Sequence, residues 1–458
     1  MRKVFIGLFL CFCANASFGQ WDSLTSGAEL VPSSPSGVYA LASYQGTLFV
    51  GGFFNIAGGM NEWGLSQWNG TNWIIKNGIN GQVNSMTTYK GNLYVGGSFS
   101  NAEGVTANNI VMYNGTTWTD LGKGVNGFVN ALAVYNGNLY VGGQFDSAGG
   151  IPAKDIAVWN GASWSSIGRI NGKSPYSDVS SFCVFNGDLC VGGYFDTVGN
   201  IITHNIAKWN GASWSAMGTG INDSSVLSLA TYNKKLYAGG YNDPTGLHGN
   251  FNAELYTWNG SVWNNMAYCN AQNSSAFEEY LVGALFVYDS VLCIGGIFDS
   301  IGGLPANNIA YWDGNNWGAF GSGISGWEVS VNSFGIYDST LYVGGQFDTA
   351  GGIPANNVAS WKGQPTSVNE IKPQCISVSV FPNPSQGTFQ LRIRNDELGI
   401  KKTVEVYNVL GEKVYSSPYS MHNGEYSIDI SNNPPGLYIY RIISGNGTYM
   451  ASGKIVVE

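Results

Sequence analysis

A Gly-Gly pair at the end of an apolar run occurs seven times in this chain of 458 residues, at Gly51, Gly96, Gly142, Gly192, Gly239, Gly295 and Gly344. Successive spacings of 45, 46, 50, 47, 56 and 49 residues make this an internal repeat, and a repeat limits the fold more than any overall property does. Each unit holds four strand-like segments, clearest in the third: VNALAVY from Val129, NLYVGGQF from Asn138, DIAVWNG from Asp155 and SWSSIG from Ser163. Apolar and aromatic residues alternate with small or polar ones, and turns such as Asn-Gly separate the segments. With 65 Gly, 15 Trp, 26 Tyr, 22 Phe and only 11% charged residues, turn and sheet formers dominate. The predicted class is all-β.

Counting each segment type separately tests the repeat. The first type starts at Val38, Val83, Val129, Val179, Val226, Val282 and Val331, and the third ends at Trp68, Tyr113, Trp159, Trp209, Trp258, Trp312 and Trp361. The fourth begins at Trp73, Trp118, Trp164, Trp214, Trp263 and Trp317, one copy short; the missing copy is Trp21, ahead of the first unit. Four short antiparallel strands are the content of one propeller blade. The chain is therefore expected to form a seven-bladed β-propeller closed by an N-terminal strand, an arrangement that removes exposed sheet edges.

Before this domain, Arg2 and Lys3 precede the apolar run VFIGLFLCFC and the small-residue stretch ANASFGQ, the pattern of a secretory signal peptide over residues 1–19. The run is too short to span a bilayer, and no membrane-spanning segment is predicted elsewhere. The propeller is assigned to 20–363 and a polar linker to 364–375. Residues 376–458, with strand-like ISVSVFPNP, GTFQLRI, TVEVYNVLGEKVYSS, YSIDI, GLYIYRII and GKIVVE, are expected to form a small Ig-like β-sandwich.

The Gly-Gly unit with its two later aromatics resembles kelch-type repeats, and its longer form, LYVGGQFDTAGGIPANNVASWKG from Leu341, looks like repeats of Bacteroidota surface proteins. That resemblance implies a fold and hardly any function, since propellers host unrelated activities. The C-terminal segment resembles a type A sorting domain of type IX secretion. The likeness is carried by Pro382, Asn383 and Pro384 of FPNP, Gly411 of NVLGEKV, Gly436 of PPGLYIYRI and Lys454 of GKIVVE. It implies passage through the periplasm, export by the type IX machinery to the medium or outer cell surface, and removal of both signal peptide and sorting domain.

Only three histidines are present, and no nucleophile motif, phosphate loop or metal-ligand cluster stands out. No catalytic residue, metal or cofactor is assigned. Residues 21–363 carry 21 acidic against 10 basic side chains, a net of −11, which repels nucleic acid and anionic lipid. The expected function is a non-catalytic scaffold for adhesion, glycan or protein binding. The alternative is a polysaccharide-active hydrolase or lyase, for which Glu278 and Glu279 are the carboxylates to consider.

Loops of varied length after the second and fourth strands fall on one face, where binding residues concentrate. They include Tyr241, His248, Glu278 and Glu279. Thirteen of the fifteen tryptophans fall in the repeated third- and fourth-strand columns; Trp63 and Trp327 do not, and both are candidate ligand contacts near where first and last blades meet. In the FDSAG and FDTAG segments, Asp followed by Ser or Thr is expected to make a capped turn. The triplet also resembles the O-glycosylation site of Bacteroidota, which makes Ser147, Thr197, Ser300 and Thr349 candidate acceptors. Cys183 and Cys190 flank a hairpin turn and form a candidate disulfide, with two small buried residues as the alternative.

Overall fold

The computed structural model describes residues 20–29, 36–75, 78–172, 176–222, 224–242, 252–270, 281–363, 377–394, 402–408, 412–419, 425–444 and 449–458. Residues 1–19 and 364–375, expected to be a signal peptide and a linker, lie outside them, as do His248, Glu278, Glu279 and Gly411. Every regular element among the described residues is a β-strand, so the all-β class holds. The chain divides into two compact units, Met1–Ser367 and Val368–Glu458.

The larger unit contains seven antiparallel sheets built on four strands each, one extended by two short strands. Their first strands are Gly37–Tyr44, Gln82–Tyr89, Phe128–Tyr135, Asp178–Phe185, Ser224–Tyr232, Leu281–Tyr288 and Ser330–Tyr337. In the seventh sheet the outermost strand is Gln20–Ser23, paired with Val358–Lys362 so that Trp21 faces Trp361. Their rings are 5.1 Å apart, within the 4.7–5.5 Å of the six equivalent pairs from Trp68–Trp73 to Trp312–Trp317. Trp21 thus occupies the fourth-strand position that the sequence left vacant.

The Gly-Gly pairs have a physical reason. A Cβ on the first glycine would overlap a valine methyl of the next sheet: Gly51 meets Val83, Gly96 meets Val129, and so on to Gly295 with Val331. The last of the series, Gly344, meets Val38 of the first sheet. A Cβ on the second glycine would overlap a carbonyl of its own first strand, as Gly52 would with Gly37. Any side chain at either position pushes strands or sheets apart.

A second series links the sheets at their turns. The last Tyr of a first strand donates its hydroxyl to a carbonyl in the next sheet's turn: Tyr44 to Gly91 (3.1 Å), Tyr89 to Gly137 (3.0 Å), Tyr135 to Gly187 (2.8 Å), Tyr232 to Ser290 (2.9 Å), Tyr288 to Ser339 (3.1 Å) and Tyr337 back to Gly46 (3.0 Å). The fourth sheet carries Phe185 at this position. Phe185→Tyr supplies the hydroxyl opposite the turn Asn233–Lys234 and is expected to add about 1 kcal/mol of stability. Thermal melts should rise by about 2–4 °C; no rise would mean that the carbonyl is out of reach.

Most loops after the second strand form a two-by-two-residue hairpin, such as Ser147–Ala148 with Ile151–Pro152. Each hairpin pairs with the segment leaving the preceding sheet, as Ile324–Ser325 does with Thr349–Ala350. In the first FDSAG segment the Asn126 carboxamide oxygen accepts the backbone N–H groups of Asp146 and Ser147, a cap supplied by the adjoining loop. A second clip lies ten residues beyond the Phe. Asn109, Asn205, Asn308 and Asn357 each accept the N–H of that Phe and donate to a carbonyl of the neighbouring loop segment. All have φ between 62° and 71°, where Asn is tolerated better than most side chains.

In the smaller unit a three-stranded and a four-stranded antiparallel sheet share one core, with Phe389, Leu391 and Ile428 from one and Val404, Val406, Tyr440, Ile442 and Ile455 from the other.

Candidate functional site

First strands run from the long-loop face toward the short turns, and each touches its neighbours in the next sheets. All seven carry a β-bulge one residue after the shared valine, seen as a register shift against the second strand. The bulged residues are Tyr39, Asn84, Asn130, Ser180, Leu227, Gly283 and Asn332. A bulge re-aims a side chain out of the ladder, and several of these line a cavity of about 220 Å³ bounded by six of the seven first strands. Its other walls include Leu41, Met86, Leu285 and Phe334, and none of its lining residues is charged. Sequence reasoning missed this site. The usable signal was a column reading Tyr, Asn, Asn, Ser, Leu, Gly, Asn beside a column that is Val in every unit.

Around the loop-side ends of these strands lie exposed aromatics. Phe128, paired with Gln144, is 49% exposed; Tyr194, paired with Asp178, and Phe53, paired with Gly37, are each 37% exposed. Burial raises the pKa of the Asp178 carboxyl, partly offset by the Ser180 hydroxyl that donates to it at 2.5 Å.

Trp63 and Trp327 are 52% and 82% exposed, but they lie at different sheet junctions. Trp63 flanks a depression with Gly78, Ile79, Asn80 and Asn101, between the first and second sheets. Trp327, whose N–H donates to the Asp348 carboxylate at 3.0 Å, adjoins the segment paired with the seventh sheet's hairpin. The expectation that both lie where first and last sheets meet is corrected accordingly.

Tyr241 is not in a loop. It lies in the second strand of the fifth sheet, opposite Ser225 and Ala253, because that sheet's strands run longer than the repeat suggests. Ser147, Thr197, Ser300 and Thr349 all lie on the first strand of a short hairpin and are half-buried; the Thr349 hydroxyl is 2.6 Å from that of Ser325. Cys183 and Cys190 do face each other, and both are free thiols in this structure. Counting back from the Asn186–Gly187 turn puts them at a hydrogen-bonded pair, where side chains diverge more than at the alternate positions. The Cys183 sulfur lies 3.2 Å from the Thr231 hydroxyl instead, and burial pushes the Cys190 thiol up to about 12.

In the smaller unit the separated sequence motifs meet. Both X-Pro bonds of FPNP, at Pro382 and Pro384, are cis. Between them Asn383 donates to the Lys454 carbonyl (3.0 Å) and accepts from the Val456 N–H (2.9 Å). Gly436 opens the strand Gly436–Ser444, which pairs with the last strand from Tyr449 to Val457. The N-terminal motif thus holds the terminal strand in place. Across the adjacent face Lys413 and Arg441 both bind Glu405, at 2.6 and 2.7 Å, and with the Tyr407 hydroxyl they hold its carboxyl down to about 2.

This C-terminal unit is a compact module whose two ends are stitched together by its own motifs. Residues 379–458 match the secretion system C-terminal sorting domain. The unit is a type IX sorting domain, the chain is a type IX secreted protein, and its destination is the outer surface or the medium. No helix among the described residues is long and apolar enough to cross a membrane. No curated protein matches the chain. Among solved structures it is similar to the extracellular domain of a one-component system from B. thetaiotaomicron, at 10% identity and a TM-score of 0.41, covering 96% of this chain and 59% of that one. The chain therefore spans 59% of the length of that structure. It is also similar to Bacteroides ovatus xyloglucan PUL GH43B (8% identity, 71% and 89% covered, TM-score 0.27). An α-L-arabinofuranosidase from Clostridium thermocellum gives 11% identity, 72% and 97% covered, and a TM-score of 0.26. These scores are too low to bear on the chemistry of this chain.

Proposed function

We propose that residues 20–363 form a seven-bladed β-propeller closed by the N-terminal strand, and that it serves outside the cell as a non-catalytic scaffold for glycans or proteins. The cyclic series of Gly–Val contacts, with Gly344 returning to Val38, supports the closed ring. The binding role rests on one observation: several aromatic side chains in the loop-side segments are exposed, among them Trp327, Tyr176, Trp63 and Phe128. Aromatic faces at a rim offer large contact area with little side-chain entropy to lose. Acidic net charge on this domain favours neutral or cationic partners over anionic ones. Alanine replacement of Trp63 and Trp327 together is expected to weaken binding on a glycan array by about tenfold. Unchanged binding by that variant would remove both from the contact surface.

A further inference from the structure

We infer that the cavity among the first strands takes the terminal residue of a neutral glycan. This rests on the scaffold reading above and adds to it a site and a ligand class. The bulged residues make the cavity lopsided. On the sixth sheet Gly283 contributes no side chain, while Asn332 and Tyr39 follow on the seventh and first sheets and Asn84 on the second. Asn84 is already fixed: its amide donates to the Val129 carbonyl at 3.1 Å and to Asn130 at 3.4 Å, and its oxygen accepts from Gln82 at 2.7 Å.

Asn332 and Tyr39 differ. Neither side chain has a hydrogen-bond partner among the described residues, although both are half-buried. An amide and a phenol each donate and accept, as does a sugar hydroxyl, so the two match a polyol without proton transfer or counter-ion. Leu41, Leu285 and Phe334 on the wall give an apolar surface for the C–H face of a sugar ring. A uronate, sialate or phosphate would find no counter-charge in this lining and would lose its hydration uncompensated. The volume of about 220 Å³ lies below the roughly 300–1,000 Å³ of sites for drug-sized ligands, which fits one ring and not a chain.

The test uses the full secreted chain with neutral and uronate-containing oligosaccharides. Gly283→Leu fills the cavity with the side chain that the fifth sheet carries at the same bulge, Leu227, and Asn332→Ala removes the unpartnered amide. Neutral oligosaccharides are expected to bind, and both variants to lose about tenfold or more in affinity at unchanged melting temperature. If Gly283→Leu fails to fold, Asn332→Ala carries the result alone. Equal binding of neutral sugars by wild type and Asn332→Ala would overturn the cavity site and leave the scaffold standing. Binding of uronate-containing oligosaccharides alone would overturn the ligand class, and no glycan binding at all would overturn the site together with the glycan half of the scaffold reading.

Discussion

Removal of residues 20–24 is expected to lower the melting temperature of the larger unit by on the order of 10 °C. Trp21 is buried against Trp361 and Phe320, and its indole N–H donates to the Phe320 carbonyl at 2.9 Å. Leu24, also buried, gives its carbonyl to the Trp73 indole of the first sheet at 2.9 Å. Deletion therefore strips both neighbours and leaves Val358–Lys362 as an exposed sheet edge. The Asp22–Lys362 pair, 2.6 Å apart and exposed on both sides, adds little. Truncating a buried Trp or Leu typically costs about 2–5 kcal/mol each. An unchanged melt in the truncated protein would show that the first strand is dispensable, and the proposed ring would lose its closure.

The second large effect comes from a departure within the repeat. Where other units clip their loops with Asn109, Asn205, Asn308 or Asn357, the third unit has Asp155, only 2% exposed. Its carboxylate accepts from the Phe145 N–H at 3.0 Å and from the Ser177 hydroxyl at 2.5 Å. Burial nevertheless raises its pKa to about 6, from 3.8 in the unfolded chain. Between these values the folded state binds more protons than the unfolded one, so stability falls as pH rises through the window of about 4 to 6. Above about pH 6 the full penalty applies, of order 3 kcal/mol. Asp155→Asn restores the residue of the other units and removes the titration. Urea melts at pH 7 should show the variant more stable by about 1–3 kcal/mol, with the gain shrinking toward pH 4. A variant equal to wild type at both pH values would mean that the carboxyl is not held in an uncompensated site.

The seven valines, the Gly-Gly pairs and the displaced Trp21 expose the repeat and the place of Trp21 in the seventh sheet, because each column answers to one contact: valine against glycine, or Trp against Trp. The bulges were hidden, since one extra residue in a period-two strand reads as a small slip of alternation around Tyr39 or Asn84. The two-residue hairpins were hidden too. Four residues such as Ser147, Ala148, Ile151 and Pro152 are too few for any periodicity, and their pairing partner lies in another unit. Trp63 and Trp327 stand out in the sequence as the two tryptophans outside the repeated columns, yet their separation depends on which sheet junction each loop crosses. At the C-terminus, FPNP and the terminal strand could be recognised as motifs, but their meeting through Asn383 is a tertiary fact.

The most direct test of the scaffold account measures binding and turnover in the same sample. The full chain is incubated with the oligosaccharides it retains, and bound ligand and released reducing ends are followed together over hours. Saturable binding with reducing ends at the level of the protein-free control is the predicted result. Reducing ends that grow with time and protein concentration would contradict it, and would make the carboxylates of the long-loop face the groups to replace.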